Sequence, residues 1–256
     1  MPRLLELTRK EAMHKKHYFP LMMLSLILLA ANGCALWDVY FIPEPAGSPE
    51  ELFEAGNDAI RDKDYVVAAE YFSKLKELFP FSPYALEADL SLADCYYLDE
   101  EFLLAAETYK EFESMHPRHS AIPYVLYQIG ISHMHAYISV DRPPTVVHEA
   151  YAYFLRVRDS FPGTEYAFKA SEKMKDCRKL LAEHEIYMGN FYFRVEHYGA
   201  AWRRYKSVVE YYPDVVDLHE YASDKVNAAY LLYRQNQTES ERRERESTWH
   251  KLWNWL

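Results

Sequence analysis

The chain has 256 residues, a formal net charge of −10, seven Gly and three Cys. The acidic balance argues against a nucleic-acid partner. The scarcity of Gly and the lack of any G-x-G-x-x-G or G-x-x-x-x-G-K-[ST] run argue against a phosphate-cradling loop, and three Cys without a C-x-x-C pair argue against a disulfide framework or a zinc site.

Residues 1–18 are basic, with Arg3, Arg9, Lys10, Lys15 and Lys16. Phe19 to Ala31 is an apolar run of 13 residues interrupted by Pro20 and Ser25, short of the roughly 20 that span a bilayer. This is the pattern of a secretory signal peptide over residues 1–33; Met13, followed by His-Lys-Lys-His, is an alternative start. The run closes on Leu29-Ala30-Ala31-Asn32-Gly33-Cys34. It resembles the lipobox of bacterial lipoproteins, although Ala31 replaces the usual Leu. The resemblance implies that Cys34 is acylated and becomes the mature N-terminus, and Ala35 in place of Asp fits sorting to the outer membrane. Acyl chains would anchor the protein through burial worth roughly 0.8 kcal/mol per CH₂. Residues 34–48 carry no helical period and read as a tether. Ser48 with Glu51 reads as a capping box for the first helix.

From Pro49 onward one motif recurs: Ala, an aromatic four residues later, and Pro eight after that. Its copies are Ala68–Phe72–Pro80, Ala105–Tyr109–Pro117, Ala150–Phe154–Pro162 and Ala201–Tyr205–Pro213. Chance placement gives roughly 0.2 such triples, so the chain is an internal repeat. In the first copy the spacing predicts a helix over 49–61, a turn at Asp62-Lys63-Asp64, and a helix from Tyr65 that Pro80 stops. Small residues at Gly56 and Ala68 let the two helices cross closely, and Phe72 is expected to wedge between neighbouring hairpins. Ala93 precedes Ala105, and Gly189 precedes Ala201, by the same twelve residues. Gly130 precedes Ala150 by twenty, which places an insertion around Ser139–Thr145. Glu165 to about Val195 reads as one long helix, and a fifth, partial repeat carries Tyr221, Val226, Ala229 and Tyr233. Cys95 and Cys177 fall in helical patterns as small buried hydrophobes.

The repeat resembles the tetratricopeptide repeat, with Gly, Ala, aromatic and Pro at matching positions. The expected fold is all-α, a right-handed superhelical solenoid of about five enlarged repeats over 49–237, followed by a charged and then Trp-rich tail over 238–256. A lipobox joined to such an array resembles the BamD (YfiO) family of outer-membrane assembly lipoproteins. The most specific stretches are Leu181 through Tyr205 with Tyr211-Tyr212-Pro213, and Phe161-Pro162-x-x-Glu165-Tyr166-Ala167. The resemblance implies a non-enzyme on the periplasmic face of the outer membrane. It further implies partnership with the POTRA domains of the barrel protein BamA and with other assembly-machinery lipoproteins, and capture of unfolded β-barrel proteins by their C-terminal signal. No cofactor or metal is expected. A different scaffold class, a periplasmic repeat lipoprotein for cell-wall or division proteins, is the competing reading.

First-helix positions that face the inside of such a superhelix are Phe53, Asn57, Ile60, Leu90, Asp94, Tyr97, Tyr124, Tyr127, Ile131 and Met134. They form a candidate peptide groove. Arg203 and Arg204 are candidate BamA contacts: in the family an Arg at the position of Arg204 makes that contact, and an Arg fork suits a carboxylate. In the tail, Trp249, Leu252, Trp253 and Leu256 recur at i, i+3, i+4 and i+7; they are read as docking on a partner or capping the array in preference to lying at a membrane interface. Among eleven His, His116 with His119 and His133 with His135 are the closest pairs, but no H-E-x-x-H or acidic cluster completes a metal site.

Overall fold

A computed structural model describes residues 47–253. Among these residues there are nine helices and no strand: α1 (Pro49–Arg61), α2 (Tyr65–Leu78), α3 (Ala85–Leu98), α4 (Phe102–Met115), α5 (Ile122–His135), α6 (Thr145–Ser160), α7 (Glu165–Arg194), α8 (Tyr198–Tyr211) and α9 (Val216–Trp253). Each packs chiefly against its neighbours in the chain, as a solenoid of hairpins must. The expected bounds of the first hairpin and of the long helix are observed.

Two local devices set the period. The first is the residue before each motif proline. Proline disfavours the helical region for its predecessor, and Phe79, His116, Phe161 and Tyr212 all leave the helix with nearly the same backbone, φ near −130 and ψ near 50. Each still donates its N–H to the carbonyl four residues back, Leu75, Phe112, Val157 and Val208 respectively. The second device is the three-residue turn inside a hairpin. Lys63, Glu100 and Glu196 take a left-handed conformation, with φ of 62°, 63° and 62°. The next residue then donates its N–H five residues back, from Asp64 to Ala59, Glu101 to Tyr96 and His197 to Tyr192, each at 2.9 Å. This is the Schellman helix end, here built without glycine.

Within a hairpin the motif aromatic lies on the small residue of its own first helix. A Cβ added to Gly56 would come within 2.7 Å of the Phe72 ring, one on Gly130 within 2.6 Å of Phe154, and one on Gly189 within 2.7 Å of Tyr205. The ring therefore wedges first within its own hairpin, which refines the expectation of a wedge between neighbours. Phe72, Tyr109, Phe154 and Tyr205 are all buried, each contributing about 1.5–3 kcal/mol of apolar burial. The core follows the chain in three clusters, centred on Phe72, on Tyr109 with Phe154, and on Tyr205.

The enlargements are where the sequence spacing placed them. Residues 136–144 form the loop between α5 and α6. It is tied down by His184 of α7, whose Nδ1–H donates to the Val140 carbonyl at 2.7 Å. The 30-residue α7 serves two hairpins: Ala170, Met174, Cys177 and Leu181 share a cluster with α6, while Ala182 and Ile186 share one with α8. Arg178 locks the exit of α8 to α7. Its Nε donates to Asp214 at 2.7 Å, its Nη2 to the Tyr211 carbonyl at 2.6 Å, and its guanidinium lies 5.2 Å from the Tyr212 ring centre. Cys95 and Cys177 are free and buried, and burial pushes both thiols up to about 12.

Candidate functional site

The candidate groove positions lie on α1, α3 and α5, the first helices of the first three hairpins. Nine of the ten are half-buried; Ile131 is in the core. Their rings engage the neighbouring helices. Phe53 stacks on Tyr84 at 5.1 Å, Tyr97 stacks on His135 at 5.8 Å, and Tyr124 and Tyr127 both contact Tyr166 of α7. The candidate groove positions thus carry aromatic contacts in each of the first three hairpins, and the rings of Phe53, Tyr97, Tyr124 and Tyr127 are half-buried.

One polar position in this set follows a rule that sequence reasoning missed. The residue after the small residue of the first helix is Asn57, Asp94, Ile131 and Asn190; the motif aromatics opposite are Phe72, Tyr109, Phe154 and Tyr205. A tyrosine faces an acceptor in both cases where it occurs. Asp94 Oδ1 accepts from the hydroxyls of Tyr109 and Tyr124, and Gln128 Nε2 donates to Tyr124 at 3.2 Å. Asn190 Oδ1 accepts from Tyr205 at 2.7 Å and Tyr221 at 2.9 Å. Burial raises the Asp94 carboxyl above its usual range, against the two hydroxyls that hold it down. Burial, then the Asp94 charge, raises both tyrosines. In the first hairpin the motif aromatic, Phe72, has no hydroxyl, and no hydrogen bond of the Asn57 side chain occurs among the described residues. Of the polar groove residues, Asp94 is committed to the fold and Asn57 is open.

The two arginines differ. Arg204 Nη1 donates to Glu185 Oε1 of α7 at 2.8 Å. Arg203 is exposed and borders a cleft of about 460 Å³ between α8 and α9, together with Tyr198, Gly199, Tyr233 and Gln237. The Tyr233 ring sits on Gly199, where an added Cβ would come within 2.8 Å, so a glycine permits this last close approach as well. The backbone of α9 continues as helix through Trp249, Leu252 and Trp253. Leu256, Cys34, the expected signal peptide over 1–33 and nearly all of the expected tether over 34–48 lie outside the described residues.

The histidine pairs diverge. His133 is buried with Nε2 3.2 Å from Glu149, and burial lowers its pKa; His135 is exposed beside Tyr97. His116 packs on Phe112, and His119 Nδ1 accepts from the Ala121 N–H. Among the described residues no group of three potential ligands comes together, and no helix is long and apolar enough to cross a membrane.

The lipobox-like front and the irregular array can be set beside known proteins. The model of the family described as "YfiO: Outer membrane lipoprotein" matches residues 45–247. The chain belongs to the YfiO family. Relatives named "Outer membrane protein assembly factor BamD" include one from Vibrio cholerae serotype O1, 28% identical over 180 residues that cover 66% of this chain and 75% of the relative. Another, from Neisseria gonorrhoeae, is 27% identical over 221 residues, covering 82% and 80%. A third, from Pasteurella multocida, is 24% identical over 181 residues, covering 67% and 70%. The YfiO match takes in the groove positions and both arginines. Cys34 and the Trp249–Leu256 end of the tail fall beyond it.

Proposed function

We propose that this chain is a non-catalytic scaffold for assembling β-barrel proteins into the outer membrane. The observation that carries the reading is the YfiO match across the array, with relatives named as assembly factors. On this reading the protein is held on the periplasmic face by acyl chains on Cys34. It binds the POTRA domains of BamA and works beside other lipoproteins of the machinery. The aromatic positions of α1, α3 and α5 receive the C-terminal signal of an unfolded barrel, whose terminal aromatic stacks on their half-buried rings. Asn57, with no tyrosine to serve, offers its amide to the main chain of that peptide, whereas Asp94 is occupied and positions rings. Arg203 meets a BamA carboxylate directly. Arg204 does so by exchanging Glu185 for the partner's acid, a charge-assisted fork in either case.

The test is co-purification from membranes of the full lipidated chain carrying Arg203→Glu or Arg204→Glu, together with photo-crosslinking from Phe53, Asn57 and Tyr127 to a barrel signal peptide. Loss of BamA with the charge reversals and capture of the peptide by groove positions are expected. Intact BamA recovery, peptide capture nowhere in the groove, or recovery of peptidoglycan-synthesis or division proteins in place of BamA would overturn the reading.

A further inference from the structure

A buried polar atom is costly unless it is hydrogen-bonded, and this chain concentrates its exceptions in one place. Among the described residues six buried side-chain atoms have no hydrogen-bond partner. Four of the six lie between Ser132 and Tyr137: Ser132 Oγ, both ring nitrogens of His133, and the Tyr137 hydroxyl. This segment ends α5 and opens the 136–144 loop. Folding leaves its polar groups unsatisfied, so this is where opening to water recovers most.

Of these groups, His133 is the one that ionises near neutral pH. Its side chain is 3% exposed and its ring stacks on Tyr153 of α6 at 6.1 Å. Nε2 lies 3.2 Å from Glu149 Oε2, within reach of its charge but outside hydrogen-bond geometry. The groups that face the ring are Glu107 and Lys110 of α4 and Glu149 and Tyr153 of α6. Lys110 is held by Glu107 at 2.8 Å and lies 5.8 Å from the centre of the Tyr153 ring. Both carboxylates are exposed.

A neutral imidazole carries one N–H and an imidazolium two. Glu149 can attract one of them. Nδ1 has no acceptor, so the second N–H of the imidazolium is stranded in the interior, with a lysine charge nearby. Burial first, and the Lys110 charge next, hold the His133 pKa below the ordinary imidazole value, against Glu149 and Glu107. The matching position of the other hairpins, three residues after the small residue, holds Ala59, Tyr96 and Tyr192, none of which gains a charge in acid.

We propose that residues 132–137 form an acid-sensitive joint, in which protonation of His133 releases the end of α5 from α4 and α6. The folded chain binds this proton more weakly than the opened chain does. The stability held by neutral His133 is therefore full above the opened-chain value of about 6.5 and is lost as pH falls from there towards the folded value. One proton changes the opening constant by at most about tenfold per pH unit. The tie from His184 to the Val140 carbonyl uses Nδ1–H, which an imidazolium also carries, so acid leaves it in place. Because α5 also carries Tyr124, Tyr127 and Met134, the joint couples acidity to the groove, whatever the groove binds.

The test is hydrogen exchange of the full chain, read peptide by peptide at about pH 7.5 and about pH 5.5 and corrected for intrinsic rates. Opening in peptides covering 130–150 should rise at least about threefold in acid, with α1, α2 and α8 unchanged. His133→Phe keeps a ring against Tyr153 and removes the titration, and should abolish the rise; His133→Leu should do the same where the larger ring does not fit. Glu149→Gln should retain the rise, because the imidazole and not the carboxylate is the sensor. No rise in the unsubstituted chain, a rise that survives both His133 variants, one lost in Glu149→Gln, or one spread evenly over all the described helices would overturn the proposal.

Discussion

Replacing Asp94 by Ile and Tyr109 by Phe, singly and together, isolates the rule that a motif tyrosine requires an acceptor. The double variant copies the Ile131–Phe154 pair that the third repeat already contains. Asp94→Ile alone leaves the buried Tyr109 O–H without an acceptor, at a cost of about 1–3 kcal/mol for an unsatisfied buried donor, although the hydroxyl oxygen still accepts from Gln128 Nε2 at 3.4 Å. Tyr124 also loses its acceptor but is half-buried and keeps Gln128, so it adds little. Tyr109→Phe alone removes one hydrogen bond, about 0.5–1.5 kcal/mol, and leaves Asp94 with Tyr124. In the double variant the hydroxyl and its acceptor are both gone, so the stranding penalty vanishes. The double variant should be about 1–2 kcal/mol more stable than the sum of the singles. Denaturant melts of the array, compared through midpoints at constant slope, give the four corners of this cycle. Asn57→Ala, opposite Phe72, is the control and should change stability by less than about 0.5 kcal/mol. Additivity within roughly 0.3–0.5 kcal/mol would refute the reasoning, because it would mean the hydroxyl and carboxylate do not depend on one another.

The remaining expectations concern charge and backbone. Burial holds the folded Asp94 carboxyl above its ordinary value, so the folded chain binds that proton more tightly than the unfolded chain. Its contribution is full below the unfolded carboxylate range and is lost as pH rises through the folded value. Asp94→Asn, which copies Asn190, should therefore stabilise most near pH 7, with the gap in melting temperature closing on acidification; a gap independent of pH would contradict this. Two glycine exchanges should act in opposite directions. Gly189→Ala pushes a Cβ to within 2.7 Å of the Tyr205 ring, which the Asn190 hydrogen bond holds in place. Overpacking of about 1–3 kcal/mol, less about 0.8–1 kcal/mol of helix propensity, leaves a net loss of up to about 2 kcal/mol. Glu100→Gly relieves a left-handed residue worth about 1–2 kcal/mol, part of which is returned to the more flexible unfolded chain, and should raise the melting temperature by a few degrees.

The hairpins were legible because their punctuation is chemical. A proline forces its predecessor out of the helix, so α2, α4, α6 and α8 each stop one residue short of the pre-proline position that spacing marks. The length of α7 was legible because no proline interrupts Glu165–Arg194 and its apolar period runs on through Gly189-Asn190. The Schellman turns were only partly so: the turn at 62–64 was placed by its polar run, but Lys63, Glu100 and Glu196 stand where glycine would have announced the left-handed residue. Groove positions could be named from register, yet register does not say which polar groups are already satisfied. Asp94 looked like a ligand-binding acid and proves to be the acceptor for two tyrosines. The signal was present in the alternation of Asn57, Asp94, Ile131 and Asn190 against Phe, Tyr, Phe and Tyr. The Arg204–Glu185 and Arg178–Asp214 pairs join segments 19 and 36 residues apart, and no local pattern distinguishes such arginines from Arg203.

The unbroken backbone of α7 also has a mechanical consequence. A hydrogen-bonded rod about 45 Å long, at 1.5 Å per residue, belongs to two hairpin stacks at once. There is no loop between them at which the chain can bend cheaply. A load applied to α8 or α9 passes along this strut to α6 and the loop beneath His184, instead of being absorbed as hinge motion. The same continuity couples the two stacks in unfolding, since fraying either one exposes the side of a helix that the other still needs.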